Sequence, residues 1–262
     1  MLLIQIVSDL HLDFVKHPIK NWREIITPSA PCLAILGDTC ELTNMSLFQY
    51  FLEAISPHWE HILILNGNHE FYGYKPRQNK EKLEAKQKKV ISKFNNVHLL
   101  ENSYIDLDGV RVVGTTLWTH VPANAVADVE WYINDYRSIY TGKRMIDAKI
   151  TNSWHETAVR YLNTVIDESP LPVVVLTHHA PLMHGTSDPK YEQSKDSDTR
   201  LANHGFATNL ESLMKENVKL WAFGHTHWCC DFTHRDTRIY SNARGYDCDG
   251  HYHPDQILKI EI

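Results

Sequence analysis

The stretch Ile62-Leu63-Ile64-Leu65-Asn66-Gly67-Asn68-His69-Glu70-Phe71-Tyr72 indicates how the chain is built. Four consecutive apolar residues are typical of a strand that is buried on both faces, as in a parallel sheet covered by helices. Gly67 lets the backbone turn sharply after the strand. Side chains with amide, imidazole and carboxylate groups, which can bind metals or transfer protons, follow directly. Because open sheets of this kind bind ligands beyond the carboxyl ends of their strands, we expect a functional site there.

The same arrangement of a short apolar run followed by acidic, amide or imidazole side chains occurs five times along the chain. The five runs are residues 2–7 before Asp9 and His11, 32–36 before Asp38, 62–65 before Asn68 and His69, 173–177 before His178 and His179, and 220–223 before His225 and His227. In the Asp-x-His and His-x-His pairs, both side chains point the same way on an extended strand end. We therefore expect these side chains to converge at one edge of the fold.

The 262 residues allow one large domain or two small ones, and 43% hydrophobic with 22% charged residues is typical of a soluble globular protein. No linker or repeat divides the chain, so we expect one domain over residues 1–262, with 118–150 and 182–207 as insertions or substrate loops.

The apolar start is too short for a membrane span and lacks signal-peptide features, which favours a cytoplasmic protein with no membrane partner. Five irregularly spaced cysteines, among them Cys248, favour reduced thiols over disulfides.

The formal net charge of −6 argues against a generally basic nucleic-acid surface, so a nucleic-acid partner is possible but not favoured. The eight basic residues between Lys75 and Lys93 could bind a polyanion. The helical spacing of Leu83, Val90 and Phe94 instead favours a solvated helix with a thin apolar stripe.

Other local patterns give further expectations of secondary structure. Asp108-Gly109 predicts a hairpin between residues 104–107 and 110–113. Helices are expected at residues 46–55, 152–168 and 209–216, and the last strands at 239–241 and 257–262. Residues 118–150 show no clean period and are expected to be an irregular wall of a pocket.

The converging side chains have the composition of a transition-metal site. Carboxylate, amide oxygen and imidazole together favour Mn, Fe or Zn over Ca or Mg. Seven candidate ligands exceed what one open catalytic site needs, but they suffice for two divalent ions if Asp38 bridges them. The candidate ligands are Asp9, His11, Asp38, Asn68, His178, His225 and His227.

The charge of such a site indicates its reaction. Two divalent ions bring four positive charges, and Asp9, Asp38 and a bridging hydroxide remove three, so the site stays positive. A positive two-metal site with bound hydroxide suits in-line attack on a phosphate ester. His69 adjoins Asn68 without being needed as a ligand, and it is the candidate general acid for the leaving alkoxide.

Three further residues are candidates for contacting the substrate or supporting the ligands. Glu70 could orient a histidine through a hydrogen bond. Arg137, within an aromatic cluster, is a hypothetical phosphate contact, with a surface ion pair at least as plausible. His179 is either a support or a structural residue.

In these five blocks the chain resembles the calcineurin-like metallophosphoesterases, whose signature is Asp-x-His, Gly-Asp, Gly-Asn-His-(Glu/Asp), His and Gly-His-x-His in that order. The resemblance covers residues 9–227 and implies a four-layer α/ββ/α sandwich, an α/β fold of two mixed sheets flanked by helices with the metal site at the carboxyl ends of the strands. It also implies which ligands hold each metal. One set is Asp9, His11, Asp38 and His227, and the other is Asp38, Asn68, His178 and His225.

The chain also departs from that pattern. The second block, Gly37-Asp38-Thr39-Cys40-Glu41, lacks the arginine of the protein Ser/Thr phosphatases, which argues against phosphoprotein hydrolysis. In the fourth block either His178 or His179 could be the ligand, and His178 is chosen because it lies nearer the strand end.

The predicted function is therefore hydrolysis of a phosphodiester or phosphomonoester by a metal-bound hydroxide, with His69 as acid. Phe71, Tyr72, Tyr74 and Trp118 weakly suggest a nucleotide or other flat group beside the metals. Two alternatives stay open: a nuclease that uses the lysine-rich helix, and a metal-binding scaffold without turnover. The sequence carries no signal for the oligomeric state.

Overall fold

In the computed structural model, residues 1–246 and 251–261 are described, so Cys248 and Ile262 lie outside the described residues. Two mixed sheets carry most of the strands. The strands are β1 (Leu2–Val7), β2 (Cys32–Leu36), β3 (His61–Leu65), β4 (Val97–Leu99), β5 (Ser103–Leu107), β6 (Val110–Thr115), β7 (Tyr140–Thr141), β8 (Arg144–Met145), β9 (Val173–Thr177), β10 (Val218–Phe223), β11 (Cys230–His234), β12 (Thr237–Ser241) and β13 (Ile257–Ile260).

The helices lie between these strands in the chain. They are α1 (Trp22–Ile25), α2 (Met45–Ile55), α3 (Lys80–Ile91), α4 (Val126–Tyr132), α5 (Asp135–Ser138), α6 (Ala148–Glu168), α7 (Pro189–Glu192) and α8 (Ser197–Ala202). Within the described ranges, no helix is both long and apolar enough to cross a membrane.

The first sheet has the order β13-β1-β2-β3-β4, and the second has the order β11-β12-β10-β9-β6-β5. Strands β1 to β4 are parallel to their neighbours, as are β6, β9, β10 and β12, while β13, β11 and β5 are antiparallel edge strands. The carboxyl ends of the parallel strands in each sheet therefore share one edge.

Strand β3 shows how the layers are filled. Ile62 and Ile64 belong to a core with helices α1, α2 and α3, whereas Leu63 and Leu65 belong to the core between the two sheets. A third core packs the far face of the second sheet against α6. Because both faces of β3 are buried in apolar cores, its residues do not alternate between apolar and polar side chains. The predicted four-layer α/ββ/α sandwich is confirmed.

Most of the predicted elements are present, including the 108–109 hairpin and both central helices, but several boundaries were wrong. Residues 209–216 are not a helix and contain only a short 3₁₀ turn, Glu211–Leu213, which suffices to bury Leu210 and Leu213. Helix α6 begins four residues earlier than expected, where the Asp147 carboxylate accepts a hydrogen bond from the Ile150 amide. Strand β11 was missed because its exposed edge carries a mostly polar sequence.

The two expected insertions contain more regular structure than the sequence indicated. Residues 118–150 include α4, α5, the small β7–β8 hairpin and the start of α6, so they are not irregular. Residues 182–207 include α7 and α8. Helices α4, α5, α7 and α8 were missed because they have only seven, four, four and six residues, which is too short for a helical apolar period to show in the sequence.

A reciprocal pair of amides connects the end of β3 to helix α3. Asn66 Nδ2 donates to Gln87 Oε1 at 3.1 Å, and Gln87 Nε2 donates to Asn66 Oδ1 at 2.6 Å. Both side chains are fully buried. This pair fixes the backbone that leads into Gly67 and Asn68.

We predict that Gln87→Ala lowers the free energy of unfolding by about 1–3 kcal/mol, because it leaves the buried Asn66 amide without partners. Lys89→Ala, at an exposed position of the same helix, is the control and should change stability by less than about 0.5 kcal/mol. Urea unfolding followed by circular dichroism measures both. Equal midpoints for the two variants would contradict the prediction.

Candidate metal centre

Five of the predicted site residues have an unusual backbone conformation for non-glycine residues. They are Asp9 (φ 53°), His11 (φ 43°), Asp38 (φ 51°), His225 (φ 67°) and His227 (φ 53°). Left-handed φ values are uncommon for such residues and persist only where the surroundings impose them. The loops after β1, β2 and β10 are thus held in conformations that aim these side chains at a common point.

The side chains form two groups, each with donor atoms within 4.8 Å of one another. One group is Asp9, His11, Asp38 and His227; the other is Asp38, His178 and His225. Asp38 belongs to both. The two groups therefore have the arrangement expected of two neighbouring cation sites that share one carboxylate.

Asn68 extends the second group. Its Oδ1 lies 2.9 Å from His178 Nε2, while His178 Nδ1 lies 2.8 Å from the carbonyl oxygen of Leu36. A carbonyl oxygen only accepts, so Nδ1 carries the proton of the neutral ring and Nε2 presents a lone pair. With this tautomer the lone pairs of Asn68 Oδ1 and His178 Nε2 face each other, an arrangement that a shared cation would stabilise, so the donor set fits a bound metal ion.

A similar contact occurs in the first group. His11 Nε2 and His227 Nε2 are 3.1 Å apart, and His227 Nε2 lies 3.4 Å from Asp9 Oδ1. Burial lowers the pKa of His11 to about 2, and burial followed by the other imidazoles lowers the pKa of His225. These rings are consequently neutral and can offer lone pairs.

The acidic residues of the site are also strongly perturbed. Burial, followed by the charges of Glu70 and Asp9, raises the pKa of Asp38 well above its usual value. These carboxylates are buried close together, and the neutral imidazoles around them provide no positive charge to compensate them. Bound cations would supply it, and carboxylate with imidazole and amide oxygen is a donor set that suits Mn, Fe or Zn.

Glu70 supports the site in a way that differs from the prediction. Its carboxylate does not contact a histidine but accepts three backbone hydrogen bonds, from Gly67 (2.7 Å), Asp38 (2.9 Å) and Thr39 (2.7 Å). Burial raises its pKa to about 7, although these three donors oppose the shift. Glu70 thus holds the loop after β2 against the loop after β3.

Gly67 has a different purpose from the sharp turn that was expected. Its φ is not in the left-handed region, but a Cβ there would lie 2.2 Å from Asp38 Oδ1 and 2.6 Å from His178 Cε1. Glycine is needed because the side chains of Asp38 and His178 pass directly over the backbone.

His69 lies beside the two groups and belongs to neither. Its backbone N–H donates to Asp38 Oδ1 at 2.9 Å, and its ring packs edge-on against His11 with centroids 4.7 Å apart. The ring Nε2 lies 3.1 Å from the hydroxyl of Tyr246. Burial, followed by the charge of His178, lowers its pKa to about 4.

His179 and Arg137 lie outside both groups. His179 Nδ1 contacts the carbonyl oxygen of Thr116 at 3.1 Å, and its ring packs on His225 with centroids 4.2 Å apart. Arg137 is exposed and donates to the Trp131 carbonyl and to Asn134 Oδ1. The turn of α5 directs Asp135 inward and Arg137 outward, so the structure does not bring Arg137 to the site.

A cavity of about 710 Å³ opens over the two groups. Both expected insertions contribute to its walls. From residues 118–150 come Tyr132, Ile133, Asn134 and Asp135, and from 182–207 come Ser187, Asp188, Lys190, Tyr191, Thr199, Ala202, Asn203 and Phe206.

Of the four aromatic residues that suggested a stacking platform, only Tyr72 lines the cavity. Phe71 and Trp118 are buried in the helix-side core, and the exposed Tyr74 donates to Glu41 at 2.9 Å. That interpretation was wrong for these three residues, because Phe71 and Trp118 fill the helix-side core and Tyr74 turns to solvent.

Asp135 and Tyr246 were missed by sequence reasoning. Asp135 accepts hydrogen bonds from Asn68 and Tyr72, and Tyr246 stacks on His11 with centroids 4.3 Å apart. Neither residue follows an apolar strand, so no local pattern distinguishes it. Only the folded chain brings both into contact with the predicted ligands.

Known proteins resemble this chain along most of its length. The model of the calcineurin-like phosphoesterase family matches residues 2–229. An uncharacterized protein of Acanthamoeba polyphaga mimivirus is 28% identical over 283 residues, covering 100% of this chain and 98% of the relative.

Two solved structures share the fold. Phosphopantetheinyl hydrolase from Mycobacterium tuberculosis has a TM-score of 0.69 at 16% identity, covering 93% of this chain and 89% of its own. A dimetal phosphatase from Danio rerio has a TM-score of 0.53 at 12% identity, with coverage of 92% and 86%.

We predict that Glu70→Gln lowers the free energy of unfolding by about 1–3 kcal/mol, because one oxygen is replaced by an N–H donor that must face a backbone donor. Glu24→Gln, at an exposed position, is the matched control. Urea titration of the metal-free protein gives both values. A Glu70 variant as stable as the control would show that the three amide contacts contribute little.

Proposed function

This chain belongs to the calcineurin-like phosphoesterase family and is a metal-dependent phosphoric ester hydrolase, and from that premise we propose that it hydrolyses a phosphodiester or phosphomonoester with two divalent ions, Mn, Fe or Zn. The observation that carries this proposal is the pair of Asp/His groups that share Asp38 and in which only His227 is partly exposed. The facing lone pairs of Asn68 and His178, 2.9 Å apart, support it.

The proposed ligands follow the two groups. Asp9, His11, Asp38 and His227 would hold one ion, and Asp38, Asn68, His178 and His225 would hold the other. His225 Nε2 lies 3.3 Å from the carbonyl oxygen of Gly205, which leaves Nδ1 as the lone pair for coordination. Bound divalent ions supply Lewis-acid activation of water and of the phosphate oxygens.

His69 completes the proposed mechanism as general acid. Its ring lines the cavity beside both groups, and the His69 N–H contact to Asp38 fixes its distance from them. Burial lowers the pKa of this ring to about 4, but the negative charge of a bound phosphate ester would favour its protonated form, which donates its proton to the leaving oxygen. Tyr246 contacts Nε2 and so limits how the ring can rotate.

The cavity supports a substrate larger than inorganic phosphate. Its walls beyond the metal groups contain tyrosine, tryptophan and small polar side chains, which fit an organic substituent on the phosphate. Since the Mycobacterium tuberculosis neighbour is named for hydrolysis of a phosphopantetheinyl group, such an ester is a suitable member of a substrate screen.

The nuclease alternative has less support. Helix α3, which carries the lysines at positions 80, 82, 86, 88 and 89, does not contribute to the described lining of the cavity. Lys80 instead pairs with Glu84 and lies over the Phe71 and Trp154 rings. We therefore favour a small organic phosphate ester over a polynucleotide.

We expect Asp38→Ala to lose at least roughly 100-fold in turnover, since removal of a shared ligand should exceed the 10–100-fold cost typical of groups that only support ligands. The assay is hydrolysis of bis-p-nitrophenyl phosphate and p-nitrophenyl phosphate after reconstitution with Mn²⁺. Metal content by elemental analysis is measured in parallel. Asp236→Ala, on an exposed turn, is the matched control.

The two esters separate the remaining possibilities. Turnover of the diester that disappears in Asp38→Ala identifies a phosphodiesterase, and turnover of the monoester alone identifies a phosphatase. Wild-type turnover that is retained by Asp38→Ala would refute the shared-ligand assignment.

His69→Asn should act selectively according to the leaving group. Alkyl leaving groups need protonation, so we expect a loss of about 10²–10⁴-fold with a methyl or glyceryl ester but less than about tenfold with p-nitrophenyl esters. His184→Asn, in a side chain that is 86% exposed, is the control. Equal losses for both leaving groups would argue that His69 is not the acid.

A further inference from the structure

The carboxylate of Asp135 lies against the amide of Asn68, deep in the site. Asn68 Nδ2 donates to Asp135 Oδ1 at 2.7 Å, and the Tyr72 hydroxyl donates to the same oxygen at 2.8 Å. All three side chains are at least 95% buried. Asp135 belongs to the 118–150 segment, outside the five sequence blocks that supply the proposed ligands.

The chemistry of this contact determines the orientation of the amide. The oxygen and nitrogen of an asparagine amide are nearly equal in size, so packing alone hardly distinguishes the two orientations. An ionised carboxylate only accepts hydrogen bonds, so it requires the NH₂ group of Asn68 to face it. Oδ1 must then point the opposite way, toward His178 Nε2 at 2.9 Å.

The opposite orientation would be unsuitable for a metal site. It would direct an N–H donor, with partial positive charge, toward the position that a bound cation would occupy, and it would bring the amide oxygen against the Asp135 carboxylate. Only the observed orientation directs an oxygen lone pair of Asn68 toward His178 Nε2. The orientation of the Asn68 amide is therefore determined by Asp135, a residue that is not itself a proposed metal ligand.

The backbone around Asp135 is itself fixed to the loop that carries Asn68. The carbonyl oxygen of Ser138 accepts hydrogen bonds from Gly73 N (3.0 Å) and Tyr74 N (3.1 Å), and Ile139 pairs with Tyr72 in an isolated β-bridge. These backbone hydrogen bonds tie the segment that carries Asp135 to the loop that carries Asn68.

We propose that Asp135 is a positioning residue that selects the metal-binding orientation of the Asn68 amide, so that the 118–150 segment completes the second metal site. This inference rests on the proposed function, because it takes Asn68 as a ligand. It assigns to a segment outside the five blocks a direct contribution to metal affinity.

The first experiment measures Mn²⁺ binding to metal-stripped protein by isothermal titration calorimetry. We expect Asp135→Ala to weaken binding at one of the two sites by about 10–100-fold, as is typical when the partner of a ligand is removed. Asp135→Asn should bind Mn²⁺ with an affinity between those of the wild type and Asp135→Ala, because an amide at position 135 can hydrogen-bond to the Asn68 amide in either of its orientations. Arg137→Ala, exposed in the same helical turn, is the control and should bind as wild type.

The second experiment exchanges the two groups. Asn68→Asp alone places two carboxylates against each other. Asp135→Asn alone removes the carboxylate that selects the orientation of the Asn68 amide. In the double variant Asn68→Asp/Asp135→Asn, the amide at position 135 donates to the new carboxylate, whose second oxygen remains directed at the metal. We expect this variant to bind Mn²⁺ more tightly than either single variant, a coupling that independent losses would not produce.

The possible results separate this inference from the proposed function. Wild-type protein that binds no divalent metal would refute the proposed function itself. Two wild-type sites that remain unchanged in Asp135→Ala, or a double variant whose losses simply add, would refute the role of Asp135 alone. Urea midpoints of the metal-free variants establish folding, and if Asp135→Ala does not fold, the isosteric exchange decides.

Discussion

The carboxylate of Asp38 is the group on which the rest of the site depends. It is almost fully buried, belongs to both groups of candidate ligands and accepts the backbone N–H of His69. Its neighbours Asp9 and Glu70 repel its charge, and the surrounding imidazoles are neutral. The fold therefore crowds carboxylates among neutral imidazoles, a repulsion that bound cations would relieve, and the hydrogen-bonded strand-end loops hold these groups together.

Several hydrogen bonds hold these loops, and they cross between the two sheets. The backbone N–H of His225 donates to Asp9, joining the loop after β10 to the loop after β1. His178 reaches from the second sheet to the carbonyl oxygen of Leu36 in the first. The left-handed conformations of five site residues persist because these contacts determine them from both sides.

The segments outside the sheets add the features that distinguish this site from a bare metal centre. Helix α5 brings Asp135 to the Asn68 amide, and the 182–207 segment forms the opposite wall of the cavity. Catalytic chemistry in such folds depends on the strand ends, whereas the shape available to a substrate depends on the connecting segments. The two properties can therefore vary independently.

The sequence alone determined the sheet architecture and the candidate ligands, because both depend on local information: an apolar run marks a buried strand, and a polar side chain directly after it must lie at the strand end. It did not determine what Glu70 contacts, where Arg137 points, or which aromatic residues line the cavity. It gave no indication of Asp135 or Tyr246, which lie 67 and 177 residues from Asn68 and His69, the residues that they contact in the site. Such contacts were decided only by the tertiary structure, because the direction of a side chain in a connecting segment follows from packing between elements and has no repeating pattern in the sequence.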